Sequence, residues 1–131
     1  MDPMGEREDA SVVRRIWELI EARQGDEAAS KFAEDLVAHW PHTKETFLGG
    51  RNFVDMNRAC PDWDHITIDR VVAKGSVVVS EITVTPGIGV FRAASIFDIH
   101  DRKISRANEY WIEQGLEKPP AWRTPLLEQS P

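Results

Sequence analysis

Val77–Ile112 reads VVVSEITVTPGIGVFRAASIFDIHDRKISRANEYWI, and the reading of this stretch decides the fold. Val, Ile, Thr and aromatic residues fill three runs, Val77–Thr85, Ile88–Ile99 and Lys103–Ile112, separated by Pro86-Gly87 and Asp101-Arg102. Side chains of this kind suit a pleated, half-buried surface, and the intervening pairs suit tight reversals. A fourth run, Ile66–Ala73, lies just upstream and is closed by Lys74-Gly75. The expectation is a four-strand antiparallel meander.

Further upstream the period changes to that of helices. Val12, Val13, Ile16, Trp17, Leu19 and Ile20 recur at three- and four-residue intervals behind Ser11, predicting a helix over about 11–23. Asp26 is placed to cap a second helix with Ala29, Phe32, Ala33 and Leu36 as its buried stripe, followed by a short extended segment, Val37–Trp40, closed by Pro41. The polar stretch to Gly49-Gly50 reads as a loop, and Phe53, Met56 and Cys60 mark a third helix over about 52–59. Residues 1–10 are expected to be a flexible N-terminus and residues 117–131 an irregular, proline-rich strap, so that 1–131 make one domain. The predicted class is α+β, with three N-terminal helices packed over a curved, mainly antiparallel sheet.

Composition narrows the function. The 131 residues carry 16 Lys+Arg against 22 Asp+Glu, a net charge of −6. That balance argues against nucleic acid as a partner, because such affinity comes mainly from basic side chains displacing counterions. One cysteine, Cys60, excludes an internal disulfide and is read as a small apolar side chain. No apolar run is long enough for a membrane span, and Met1–Ala10 lacks the basic and apolar regions of a signal peptide, so the expected location is the cytoplasm. No Gly-rich phosphate loop or nucleophile elbow appears, and His39-x-x-His42 offers only two ligands, so neither a cofactor nor a metal is expected.

If Pro86-Gly87 and Asp101-Arg102 are the central residues of two-residue turns, Glu81 faces Arg92, Arg92 faces Trp111 and Ala94 faces Glu109. Val79, Glu81, Arg92, Ala94, Ile96, Ala107, Glu109 and Trp111 then share one face, and Ile82, Val84, Phe91, Phe97 and Tyr110 the other. A bulge in either strand would exchange the faces. The charge cluster is a surface network if its face is solvated, and a set of perturbed groups if helices cover it.

The chain resembles the nuclear transport factor 2-like superfamily, and within it the SnoaL-like, polyketide cyclase-like branch. The resemblance covers about residues 12–123. It rests on Phe32-Ala-Glu-Asp-Leu-Val-Ala-His-Trp-Pro41 running into Phe47-Leu-Gly-Gly-Arg51, on Val71-Val-Ala-Lys-Gly-Ser-Val-Val-Val79, and on Ser95-Ile-Phe-Asp-Ile-His-Asp-Arg-Lys-Ile104 followed by Glu109-Tyr-Trp111. It implies a cone-shaped fold around an apolar pocket and a homodimer through the outer sheet face, for which Ile82, Val84, Phe91, Phe97 and Tyr110 are the expected patch. The steroid isomerases of this fold keep a carboxylate where this chain has Trp40, an Asp at Ala94 and a Tyr near Trp17 or Glu18, so their chemistry is not expected here. The acid/base Asp of SnoaL-like cyclases falls at Glu109, and the Asp-Arg-Asp cluster of the epoxide hydrolases is similar in charge pattern to Glu81-Arg92-Glu109.

Two readings follow. In one, Glu109 transfers a proton at an apolar cyclic or polyketide-like substrate, helped by Arg92 and Glu81, in a cavity lined by Trp40, His39, Met56, Trp63, Ala94, Ala107 and Trp111. In the other, Glu81, Arg92 and Glu109 are a structural network and the pocket binds a ligand without turning it over.

Overall fold

A computed structural model of the chain describes residues 3–58, 63–86 and 89–127. The elements run α1 (Pro3–Glu21), α2 (Gly25–Ala29), β1 (Phe32–Trp40), β2 (Glu45–Leu48), α3 (Gly50–Asn57), β3 (Trp63–Lys74), β4 (Val77–Pro86), β5 (Phe91–His100) and β6 (Lys103–Glu113). They end in a short 3-10 helix, Ala121–Leu126. The sheet order is β2-β1-β6-β5-β4-β3, antiparallel except where β1 lies parallel to β6. Helices pack on one face of this open, curved sheet, as the sequence predicts. No helix among the described residues is long and apolar enough to cross a membrane.

The four predicted strands form, and three expectations upstream are corrected. The second helix stops at Ala29, and Phe32–Trp40 is strand β1. Phe32 and Leu36 are four residues apart, which satisfies a helix stripe, but residues i and i+4 also share one face of a strand, and Phe32, Leu36 and Ala38 are buried together on the inner face of β1. Val37, Ala38 and His39 then find backbone partners on β6, which a helix could not have used. The expected loop contains β2, paired through Ala38↔Phe47 and His39↔Thr46. Of the N-terminal residues expected to be flexible, 3–10 belong to α1, where Arg102 binds Glu8 and Asp9 (2.9 Å to the latter) and Glu6 accepts from the Gly75 amide (3.1 Å). The tail is exposed throughout its described part and includes the short 3-10 helix rather than being wholly irregular. Cys60, Pro61, Gly87 and Ile88 lie outside the described residues.

Register is the consequential correction. Asp101 and Arg102 both have positive φ (50° and 63°) and His100 pairs with Lys103, so the predicted two-residue turn forms. Between Asp98 and Ile99, however, the ladder shifts, and from there Ser95 rather than Ala94 faces Glu109. The β4–β5 pairing is offset by two residues, with Glu81 opposite Ala94 and Arg92 opposite Thr83, a shift that preserves the faces. The one-residue slip does not. Ile82, Val84, Phe97, Ala107 and Glu109 are buried under the helices with Val13, Ile16, Trp17 and Ile20 of α1, whereas Arg92 and Ala94 are exposed and Glu81 is partly exposed on the outer face. The expected dimer patch is therefore mostly core, and the outer face instead shows Val72, Val79, Ile96, Tyr110 and Ile112.

Close packing fixes α3 over β1. A Cβ on Gly50 would lie 2.7 Å from Phe32 Cβ and 2.8 Å from Ala29 O. Gly50→Ala should destabilise the fold by about 1–3 kcal/mol, the usual range for overpacking, measurable as a lower midpoint in urea with an unchanged slope.

Candidate functional site

Three strands and one helix converge on Glu109. Its position in β6, opposite Ser95 and beside Ala107, puts the side chain on the inner face, where it is fully buried. Oε1 accepts from Trp40 Nε1 (3.0 Å), Asn57 Nδ2 (3.2 Å) and Trp111 Nε1 (3.4 Å). Oε2 accepts from Ser95 Oγ at 2.6 Å. All four donors are neutral, and no cation pairs with this carboxyl among the described residues. Burial raises its pKa above the ordinary carboxylate range, and the hydrogen bonds from Ser95, Trp40, Asn57 and Trp111 oppose that shift without cancelling it.

Each donor is placed by its element. Trp40 ends β1 and its ring meets Phe47 edge-on, with centroids 5.3 Å apart. Asn57 closes α3, on the inward stripe with Phe53 and Val54. Its Nδ2 also donates to Phe53 O (2.9 Å), so a flipped amide would set its carbonyl against two acceptors. The orientation is thereby fixed, and Asn57 Oδ1, buried, has no hydrogen-bond partner among the described residues. Such an atom costs about 1–3 kcal/mol and asks for a donor from elsewhere.

The predicted cluster is not assembled. Glu81 and Arg92 stand on the opposite face of the sheet from Glu109, Glu81 with Arg70 (3.4 Å) and Arg92 with Asp69 (3.8 Å). The cause is the one-residue slip in β5–β6. Ala94 lies outside with them, while Ala107 is buried beside Glu109. Trp40 and Trp111 do reach Glu109. His39 bonds Thr46 Oγ1 through Nδ1 (2.9 Å), and Met56 is partly buried on α3 next to Asn57. Trp63 opens β3, and its side chain lies outside the described residues. Asn57 and Ser95 were missed. A bulge-corrected register would have found Ser95, and Asn57 carried a signal as a polar residue four after Phe53 on an apolar stripe.

The SnoaL-like domain family matches residues 13–107. No curated protein sequence matches the chain. Among solved structures, a Kribbella flavida DSM 17836 protein assigned as a ketosteroid isomerase is similar at 24% identity and TM-score 0.81, over 96% of this chain and 92% of that one. An LEH-like epoxide hydrolase of M. tuberculosis is similar at 20% identity and TM-score 0.68, over 82% and 85%. A protein from Shewanella putrefaciens CN-32 assigned as a SnoaL-like polyketide cyclase shares 12% identity at TM-score 0.62, over 79% and 88%. At these identities the likeness is one of fold.

The arrangement predicts how substitutions at Glu109 divide. Glu109→Gln keeps an oxygen for the three converging N–H groups and turns its amide toward Ser95 Oγ, which can accept, so the fold should be retained. Glu109→Leu leaves three donors without an acceptor at about 1–3 kcal/mol each, and should lower the urea midpoint strongly. Because the folded pKa is raised, the native state holds its proton longer than the unfolded chain. The stabilisation is complete below the unfolded carboxylate pKa and is lost as pH rises through the folded value. Wild type should therefore lose stability relative to Glu109→Gln as pH climbs from about 4, in parallel urea titrations.

Proposed function

Because the chain belongs to the SnoaL-like domain family, we propose that its inner sheet face receives a small molecule and that Glu109 exchanges a proton with it. The observation that carries this reading is a fully buried carboxyl held by four neutral donors and no counter-charge. A scaffold gains nothing from such a cluster that apolar side chains at the carboxyl and at its donors together would not supply. A carboxyl whose pKa burial raises is, by contrast, a group suited to general acid or base work. Asn57 Oδ1 adds an acceptor beside it for a ligand O–H or N–H, and the Trp40 and Trp111 rings, which both reach Glu109, offer apolar surface. The substrate class that suits this lining is an apolar cyclic or polyketide-like compound. The isomerase, cyclase and epoxide hydrolase assignments of the similar structures support chemistry of this general kind. Arg92 takes no part, being on the other face.

The second reading is a ligand-binding protein without turnover, and it is favoured by the occupancy of both Glu109 oxygens by protein donors. Cyclic ketones, enones and epoxides incubated with the protein in D2O separate the two. The enzyme reading expects deuterium incorporation or ring opening by NMR, reduced about 10²–10⁴-fold in Glu109→Gln, the usual contribution of a general acid or base. Binding without exchange, or exchange indifferent to Glu109→Gln, would leave the binder.

We also propose that a second copy of the chain docks on the outer sheet face, where Val72, Val79, Ile96, Tyr110 and Ile112 are exposed. The single cysteine suits a reducing cytoplasm. Sedimentation at tens of micromolar should give a dimer, and Ile112→Lys should shift it toward monomer without loss of helix signal.

A further inference from the structure

On the side of α3 away from Glu109, a cleft of about 290 Å³ lies between the α1–α2 turn and α3, lined by Ile20, Arg23, Gly25, Arg51, Val54, Asp55 and Arg58. Three guanidinium groups thus share one cleft with one carboxylate, on a chain whose net charge is −6. Arg51 is neutralised locally by Asp26 and Asp55 (3.2 Å to the latter). Arg23 and Arg58 have no carboxylate at ion-pairing distance among the described residues. Glu21, the acid whose field reaches Arg58, is already held by His65 Nδ1 and the Ile66 amide. Burial, and then the charge of Arg23, hold the Arg58 pKa below the usual arginine value, against the opposing pull of Glu21.

Backbone geometry singles out Arg23. Gln24 N–H bonds Leu19 O (2.8 Å) and Arg23 N–H bonds Ile20 O (3.1 Å), closing α1 in the two-bond pattern that puts its C′ residue in the left-handed region. That residue is Arg23, with φ of 62°, where glycine is the favoured choice. Gly25 serves the same cleft differently, since a Cβ there would meet Arg51 Nη1 at 3.3 Å. The chain therefore accepts an unfavourable backbone and two like charges at one place, over a floor of buried Ile20 and Val54.

We propose that the cleft between Arg23, Arg51 and Arg58 is a binding site for a small oxyanion, the phosphate or carboxylate group of a free small molecule. Guanidinium forks match the oxygen pairs of both groups, and an anion between Arg23 and Arg58 would convert their mutual repulsion into two charge-assisted contacts. The site is independent of the chemistry assigned to Glu109, although α3 joins them through the neighbours Asn57 and Arg58.

The test titrates sodium phosphate and sodium malonate into the full chain at pH 7 by calorimetry and thermal unfolding, with sodium chloride at matched ionic strength as reference. Binding of either anion above the chloride reference is expected, and the stronger of the two identifies the group. Arg23→Gly and Arg58→Gln should each weaken that binding at least tenfold. Without anion, Arg23→Gly should melt no lower than wild type, because glycine suits the backbone and one repulsive charge is gone. The proposal is overturned if neither anion exceeds chloride, if the double variant binds as tightly as wild type, or if Arg23→Gly melts well below wild type and so reveals a structural arginine.

Discussion

A single shifted residue in the β5–β6 ladder, between Asp98 and Ile99, governs what lies inside this protein. Because strand side chains alternate, it determines that Ser95 and Glu109 face the helices while Arg92 and Ala94 face outward. Buried polar groups need partners, and several of those partners are indole N–H groups. Trp17 of α1 donates to Ser80 (3.0 Å), and Trp40 of β1 and Trp111 of β6 donate to Glu109. Each indole buries a large apolar ring and presents one N–H, which is what a core containing a few acceptors can use.

The two faces of the sheet handle charge in different ways. Outside, Arg70 with Glu81 and Arg92 with Asp69 are solvated pairs of the kind worth about 0–1 kcal/mol. Thr83 also donates to Asp69 (2.6 Å), so the outer ladder is ordered without being a major source of stability. Inside, one carboxyl is surrounded by dipoles instead of a counter-ion, and its protonation state becomes a property of the fold. Removing a neighbour such as Ser95 would change that state as well as the packing.

Most of the architecture was legible because periodicity reports which side chains share a face. The strands from Ile66 to Ile112 and the apolar stripe of the first helix could be read directly, though not the start of that helix at Pro3, and the turn at Asp101-Arg102 formed where the residues placed it. Phe32–Leu36 could not be read, since a four-residue interval satisfies a helix, and the two-residue period of a strand satisfies it equally. Only the parallel partner on β6 decides between them, and that partner is distant in sequence. Glu109 was identified from its place in β6 and from the family resemblance, yet its neighbours were assigned to the wrong face. Bulges leave little local signature, so the register arithmetic failed at Asp98, and Arg92, Glu81 and Ala94 were lost from the site with it. Asn57 escaped notice because helix periodicity marks apolar positions and passes over a polar residue among them.

The parallel pairing of β1 with β6 has a bearing on how the chain reaches this structure. β1 follows directly on the first two helices, but its sheet neighbour besides the short β2 is β6, the last strand of the sheet in sequence. Closing such a long loop is entropically demanding, and contacts of high sequence separation slow folding. A ribosome emitting this chain would release α1, β1 and α3 with Leu36, Ala38 and Phe53 still lacking the surface they bury against. The meander from β3 to β6 can assemble from local hairpins first, and the N-terminal third then docks onto it. Synthesis and folding therefore run in opposite directions along this sequence, and the exposed apolar stripe of the nascent N-terminal segment is the part of the molecule with most need of a chaperone.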